Sequence, residues 1–422
     1  MKEKCVFKES GIAWLGKIPK HWEVRKIKTL FYIGRGRVIS QEELEDNGEY
    51  PVYSSQTKNN GVLGHIKTYD FDCEQITWTT DGVNAGTIFL RNGKYNCTNV
   101  CGTLKPKNNY ENMNFLTYAL QNSTPNYKRP DTNGAKIMNN EMAEISIVYP
   151  PLKEQKAIAD FLDKKCELIE EFIIKKEQLI TLLEEKKQAL INEVVSKGLN
   201  KNAKFKESGI DYLGQIPTHW EVRRLANFGI FLKGGNISRN DLTDEGESVI
   251  LYGDIYTKYE IKTHFLESKV SKEASALAIP IYRGDILLSG SGETKEDIGK
   301  SIVYLGDNKA FAGGDVIIFR QKENDSLFLS YALNTQYAKF YRYIESKGEI
   351  IVHIYASNLR DIKIPLPPLE EQKAIATYLD TQTQKISGII TKIKAQIKLM
   401  REYKSSLISE ATCGRMGLNK KG

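Results

Sequence analysis

Apolar residues fall on a seven-residue spacing in two widely separated stretches of the chain. Leu162, Ile169, Leu183 and Leu190 mark one stretch, broken only by Lys176, and Leu379, Ile386, Ile393, Met400 and Leu407 mark the other without a break. Phe172, Ile173 and Ile180 widen the first stripe, and Ile389, Ile390 and Ile397 the second. A heptad stripe held over five positions predicts a coiled coil. Each stretch opens on a proline pair, Pro150-Pro151 and Pro367-Pro368, which ends a strand and can start a helix, where a missing N–H costs little. Glu154, Glu370 and Glu371 follow, placed for the positive end of a helix dipole. Some 40 helical residues span roughly 60 Å. Two rods of equal length joined through intervening domains most simply pack antiparallel, each stripe burying the other and the two domains falling at opposite ends.

Between the rods the period changes to short β-branched and aromatic runs bounded by Asn and Gly, which predict strands. In the first half these are residues 50–56, 75–80, 86–90 and 144–150. In the second they are 248–257, 284–290, 300–306 and 315–321. A tyrosine-rich helix is predicted before each rod, over 114–122 and 327–346. The pattern does not order the strands.

The chain is also written twice. FKESGIAWLGKIPKHWEVR (7–25) and FKESGIDYLGQIPTHWEVR (205–223) agree at fifteen of nineteen positions, and PPLKEQKAIADFLD (150–163) and PPLEEQKAIATYLD (367–380) at eleven of fourteen. The first block repeats at 198 residues and the second at 217, so the insert of the second half is nineteen residues longer. The frame is kept while the inserts differ, as expected if each insert recognises something different. The C-terminal GLNKKG matches the GLNKNAKFKES that joins the halves, so the N-terminus continues naturally from the C-terminus, like a ring that has been cut. The expected architecture is α+β: two mixed α/β domains separated by two long helices in an antiparallel coiled coil, with a pseudo-two-fold internal repeat. The domain boundaries read as 1–149, 150–200, 201–366 and 367–422.

Composition adds limits rather than identity. With 422 residues and 41% hydrophobic content, two to three domains are expected. The net charge of +7 permits phosphate contact without demanding it. No apolar run approaches the roughly 20 residues that cross a bilayer, and MKEKCVFKES lacks a secretory apolar stretch, so a cytoplasmic protein without a membrane partner is expected. Cys5, Cys73, Cys97, Cys101, Cys166 and Cys413 follow no framework spacing. Cys97 and Cys101 are the only close pair, and without further ligands they read as reduced structural thiols rather than a metal site.

Loops between the strands carry side chains suited to a duplex: Arg and Lys for guanine edges or phosphates, Asn and Gln for adenine. The candidates are Arg35, Arg37, Gln56, Lys58, Asn59, Asn60, Lys128, Arg129 and Lys136 in the first insert. In the second they are Lys233, Asn236, Arg239, Lys295, Arg342 and Lys347. Each loop alone reads as a solvated turn; only the set on two parallel domains points to DNA.

Catalytic patterns fail one by one. The run from Ser289 to Ser301 resembles a phosphate loop but has Thr294 where Gly is required. Asp285, Glu293 and Lys295 loosely resemble a nuclease set, and the first half has no equivalent. Both Pro-Pro pairs begin helices rather than a methyltransferase motif. The five histidines form no i,i+4 pair, and His21 and His219 precede Trp22 and Trp220, where packing beside the indole is expected.

The opening phrases SGIAWLGKIPKHWE and SGIDYLGQIPTHWE, the blocks beginning PPLKEQ and PPLEEQ, and the endings ALINEVVSKG and SLISEATCG together resemble the specificity subunits of type I restriction–modification systems, over essentially the whole chain. Cys413 and Gly414 depart from Ser196 and Lys197 of the first copy, which affects only the last turn of the second helix. The resemblance implies two target-recognition domains, each reading half of a split site in double-stranded DNA, with the helices as spacer. It implies two methyltransferase subunits as partners, modifying an adenine flipped from the stack, and ATP-dependent restriction subunits completing the complex. S-adenosylmethionine, ATP and Mg²⁺ would belong to those partners, leaving this chain without cofactor, metal or chemistry of its own. A specificity subunit of a related modification system, or a protein-binding coiled-coil scaffold, are the alternatives.

Overall fold

The computed structural model describes residues 6–108, 111–132, 134–210 and 212–417. The chain divides into two compact units. One joins Met1–Lys176 to Lys394–Gly422, and the other is Glu177–Ile393. The residues that would continue from one chain end to the other, 1–5 and 418–422, lie outside the described residues.

Both inserts use one sheet plan that their sequences hide. In the first unit an antiparallel sheet runs Ile88–Arg91, Gln75–Thr79, Cys101–Pro106, Phe31–Arg35. In the second the order is Ser301–Tyr304, Ile286–Ser289, Val316–Gln321, Gly229–Lys233, extended by Lys262–Thr263 on the outer edge. A second sheet also recurs, with Lys94–Cys97 parallel to Tyr50–Tyr53 in one unit and Ala310–Ala312 parallel to Glu247–Ile250 in the other. The central strands Gln75–Thr79 and Ile286–Ser289 are buried at every position, as strands covered on both faces must be.

Two predicted elements differ. Residues 248–257 are not one strand: Glu247–Ile250 gives way to a short helix, Tyr252–Thr257, whose start is capped by Asp254 Oδ2 accepting from Leu251 N at 3.1 Å. The helix expected over 327–346 breaks into Ser326–Leu333 and Gln336–Glu345. Asn334 causes the break, because its Nδ2 donates to Ser330 O and to Ser301 O, at 2.8 and 2.7 Å, tying the turn to a neighbouring strand.

The long helices are Leu152–Lys197 and Leu369–Thr412. In the first unit they run antiparallel. The Met113–Ser123 helix touches the start of one and the end of the other, Tyr118 Oη donating to Asp163 at 2.8 Å and Asn122 Nδ2 to Thr412 at 3.1 Å, while Glu170 pairs with Lys404 further along. In the second unit Lys187 donates to Ser387 Oγ at 2.9 Å. There Ile191, Val194 and Val195 share a core with Ile375, Ala376 and Leu379, which again is antiparallel. Of the seam residues, Leu162, Ile169, Leu379, Ile386, Ile393 and Leu407 are buried, and Phe172, Leu183, Leu190 and Met400 half-buried. Lys176, which interrupts the stripe, lays its ammonium over the Phe172 ring at 5.2 Å.

The repeated motifs are the joints. Gln155, fully buried, donates from Nε2 to Pro150 O at 2.9 Å and accepts from Asn112 N at 3.3 Å. Gln372 does the same with Pro367 O and Asp325 N, both at 2.9 Å. Asn112 and Asp325 in turn cap the helices they precede, each accepting at 2.8 Å. His21 and His219 do more than pack beside the indoles: their Nε2 atoms bond Glu154 at 2.7 Å and Glu371 at 2.8 Å, and Trp22 Nε1 also donates to Glu154. Each long helix ends on a glycine in the left-handed region, Gly198 and Gly414, set against Trp220 and Trp22. The second helix stops at Thr412, so Gly414 takes the role of Gly198 despite the departures in the last turn.

Candidate nucleic-acid interface

In the first unit the candidate loops meet at one end of the Phe31–Arg35 sheet. Arg35 closes that strand and donates from Nε to Asn99 O. Gly36 N then bonds Cys101 O at 3.0 Å and Arg37 N bonds Cys97 O at 3.1 Å. A Cβ on Gly36 would lie 2.2 Å from Cys97 O, so only glycine lets the backbone cross there. Gly134–Lys136 pairs with Asp81–Gly82 on one side and Arg129–Asp131 on the other. Asn139 Nδ2 donates to Gly34 O at 3.2 Å, joining this ribbon to the arginine strand. Asn84 Nδ2 donates to Ser55 O at 3.0 Å and brings in the loop carrying Gln56, Lys58, Asn59 and Asn60.

These side chains are not equally free. Lys58, Asn59, Asn60 and Lys128 are exposed, and neither lysine forms an ion pair among the described residues. Asn59 and Asn60 hold φ of 49° and 54°, a conformation that asparagine tolerates and that turns the loop sharply outward. Arg37 is engaged by Glu43 at 2.7 Å and Asp70 at 3.1 Å, and the Glu43 bond raises its pKa further. Arg129 pairs with Glu141 at 2.5 Å and Lys136 with Asp131 at 2.9 Å, while Gln56 Nε2 donates to Val62 O. Those groups shape the loops first and face a ligand second.

The second unit repeats the arrangement. Lys233 occupies the position of Arg35 and is exposed, with Asp315 4.0 Å away. Gly234 N bonds Val316 O and Gly235 N bonds Ala312 O, the same strand-end crossing, and Asn236 and Arg239 follow exposed. Ser291–Gly292 pairs with Val352–His353, matching the ribbon of the first unit, and Lys347 pairs through its backbone with His353. Lys295, half-buried, follows that ribbon. Arg342 is a correction. It is 1% exposed, with Nε donating to Ile298 O at 2.9 Å and Nη1 to Leu333 O at 2.5 Å, and desolvation lowers its pKa to about 10. The amphipathic helix Gln336–Glu345 turns it inward, so it does not meet a duplex at this surface.

Sequence reasoning missed Ser291, Asp315 and His353, whose side chains converge at this loop cluster: Ser291 Oγ lies 2.7 Å from Asp315 Oδ2 and 2.8 Å from His353 Nδ1. It also missed the exposed Ile350 and the exposed Tyr355, whose ring lies nearly parallel to that of His353. No spacing signal marks them, because the ribbon that gathers them is a tertiary pairing.

Residues of the patterns that hinted at chemistry have structural partners. Asp285 is buried and bound by Arg320 at 2.7 and 2.9 Å. Cys97 and Cys101 are buried beside each other, and the neighbouring thiol together with burial pushes Cys97 far up. Among the described residues no three His, Cys, Asp or Glu side chains group to hold a metal, and no helix is long and apolar enough to cross a membrane. Each cluster instead presents cations, amides and exposed backbone at the end of a rigid sheet, the combination that positions on phosphates and reads base edges.

A sequence profile of the type I restriction–modification DNA specificity domain matches residues 19–185 and again 217–399. The chain is 29% identical over 388 residues to a putative type I specificity subunit of Mycoplasma pneumoniae, covering 90% of this chain and 96% of that one. It is likewise 29% identical over 421 residues to the type I restriction enzyme MjaVIII specificity subunit of Methanocaldococcus jannaschii, covering 93% of each. A solved structure described as the basis of complex assembly and conformational transition of the type I system superposes with a TM-score of 0.69 at 16% identity, covering 95% of this chain and all of that one. That likeness is one of fold.

Proposed function

The chain belongs to the type I restriction–modification DNA specificity family, carrying its domain twice, and from that premise we propose that each unit reads one half of a bipartite site in double-stranded DNA. One observation carries this reading. The same sheet end is built in both units, with Arg35 and Lys233 at equivalent positions, yet the surrounding loops present different side chains. Two readers sharing a frame but not a surface recognise two different half-sites. Replacing residues 26–149 with the insert of another reader is expected to change one half of the methylated sequence and leave the other. A swap that alters both halves refutes modular reading.

The long helices set the spacing between half-sites and dock two methyltransferase subunits, with restriction subunits joining the full complex. Support comes from apolar side chains that the helices leave in water, Leu168 and Ile174 in one unit and Leu182 and Ile389 in the other, each at least 47% exposed. Inserting whole helical turns is expected to lengthen the spacer without changing either half-site. S-adenosylmethionine, ATP and Mg²⁺ are used by the partners, in the cytoplasm, and the chain itself transfers nothing. Methyl transfer by the purified chain alone would refute that division.

A further inference from the structure

Within the second unit, residues 184–191 of the first long helix and the domain beneath it line a half-open cavity of about 390 Å³. Four cations face it. Lys187 is neutralised by Glu260 at 2.5 Å. The other three are not: Lys300 Nζ donates to the carbonyls of Tyr259 and Tyr256 at 2.6 and 3.3 Å, Lys339 Nζ to Gln188 Oε1 at 3.2 Å, and Arg342 to the two carbonyls given above. None of the three makes an ion pair among the described residues. The carboxylates along the lining, Glu184, Glu260, Glu296 and Asp297, are all exposed, so the cavity is acidic at its rim and basic within.

Desolvated cations whose partners are all neutral oxygens are costly, and crowding three of them adds repulsion. Burial is the main cause that lowers the pKa of Lys300 and of Lys339; Glu260 and Asp297 partly offset it at Lys300, where Lys339 and Lys187 lower it further, and Arg342 lowers Lys339 further while Asp297 opposes. The fold therefore keeps an arrangement that an anion would relieve. A phosphate matches it, since ammonium and guanidinium donors converge on tetrahedral oxygens, and the volume falls within the range of small-molecule sites. A metal cation is opposed by the sign of the interior charge. Among the described residues the first unit has no counterpart, because its Met113–Ser123 helix is followed by a single short turn where the second unit builds Gln336–Glu345 with Lys339 and Arg342.

We propose that this cavity binds the phosphate group of a small molecule through Lys300, Lys339 and Arg342, independently of DNA reading. The test uses the full chain, titrated with inorganic phosphate or adenosine 5′-monophosphate against chloride at equal ionic strength, with unfolding midpoint and calorimetric binding as readouts. Saturable binding near one equivalent, with a midpoint rise of roughly a few degrees well above the dissociation constant, is expected. Tighter binding of the monophosphate would identify a phosphorylated metabolite, and equal binding free phosphate. Lys339→Gln and Lys300→Met should each weaken binding about tenfold or more, while the phosphate-free midpoint stays level for Lys339→Gln and falls for Lys300→Met, which leaves the Tyr256 and Tyr259 carbonyls without their donor. No saturable effect beyond chloride overturns the proposal, and so does binding retained in both variants. If a variant does not fold, the wild-type titration decides alone.

Discussion

Replacing three glycines by alanine, one at a time, should move stability in opposite directions. Gly388 lies in the interior of the second long helix, exposed, with nothing within 4 Å of an added Cβ. Alanine there is expected to stabilise by up to about 1 kcal/mol, the helix-propensity difference. Gly198 holds φ of +71°, where an L side chain is strained by about 1–2 kcal/mol. Its Cβ would come 2.9 Å from a Glu371 carboxylate oxygen, which can swing aside, and 3.1 Å from the Trp220 ring, which need give only a few tenths of an ångström, so the loss should be about 1–3 kcal/mol. Gly414 has nearly the same φ, +73°, but its Cβ would sit 2.6 Å from the Pro19 ring and 2.9 Å from Trp22, neither of which can swing. Overpacking against rigid groups adds about 1–3 kcal/mol, giving a loss of about 2–4 kcal/mol. Urea unfolding followed by tryptophan fluorescence suits the test, since Trp22 and Trp220 are buried at the two joints. A neutral Gly414→Ala, or a Gly388→Ala as harmful as the others, would refute the reading of both helix ends as latched joints.

Arg342→Met, measured without phosphate, should cost about 1–3 kcal/mol by leaving the Ile298 and Leu333 carbonyls unpaired, and should leave the salt dependence of DNA binding unchanged in a filter-binding assay. Lys58→Ala and Lys128→Ala, measured the same way on the assembled complex, should each weaken DNA binding across sequences and lower the salt slope by about 1. Cys97 should resist alkylation in the folded protein and react only after denaturation, read by mass spectrometry, because its buried thiol is pushed up. Glu144 accepts from Lys26 and Lys28, which hold its carboxyl at about 2, below the ordinary 4.5. Its contribution is then present above about pH 4.5 and lost as pH falls towards 2, so Glu144→Gln should flatten the acid limb of a midpoint-versus-pH curve.

What could be read from the chain followed the range of the interaction. The heptad stripe and the proline pairs are local, and they located both long helices; the repeated phrases located the joints. Gln155 and Gln372 stood in plain view inside a repeated motif, yet their role depends on carbonyls and caps brought close only by folding. The shared sheet plan was illegible because sheet order is set by tertiary pairing between runs that have diverged. Arg342 misled for a related reason: an arginine among tyrosines near a loop looks exposed until the Asn334 break reorients the second helix. The loop candidates fared better as a group than singly. Arg37 and Arg129 turned out to be tied to carboxylates, while Lys58 and Lys128 stayed clear, a distinction that loop composition does not carry.

The seating of Gly414 and Arg415 on Pro19, Trp22 and Leu15 bears on how the chain is made. A ribosome emits the segment opening the first domain well before the residues that cap it, on the order of 20–80 s earlier at ordinary elongation rates. The second unit, drawn from 177–393, can finish while the first still stands open at its base. A truncation of a dozen residues at the C-terminus would therefore leave the reader made last intact and cripple the one made first.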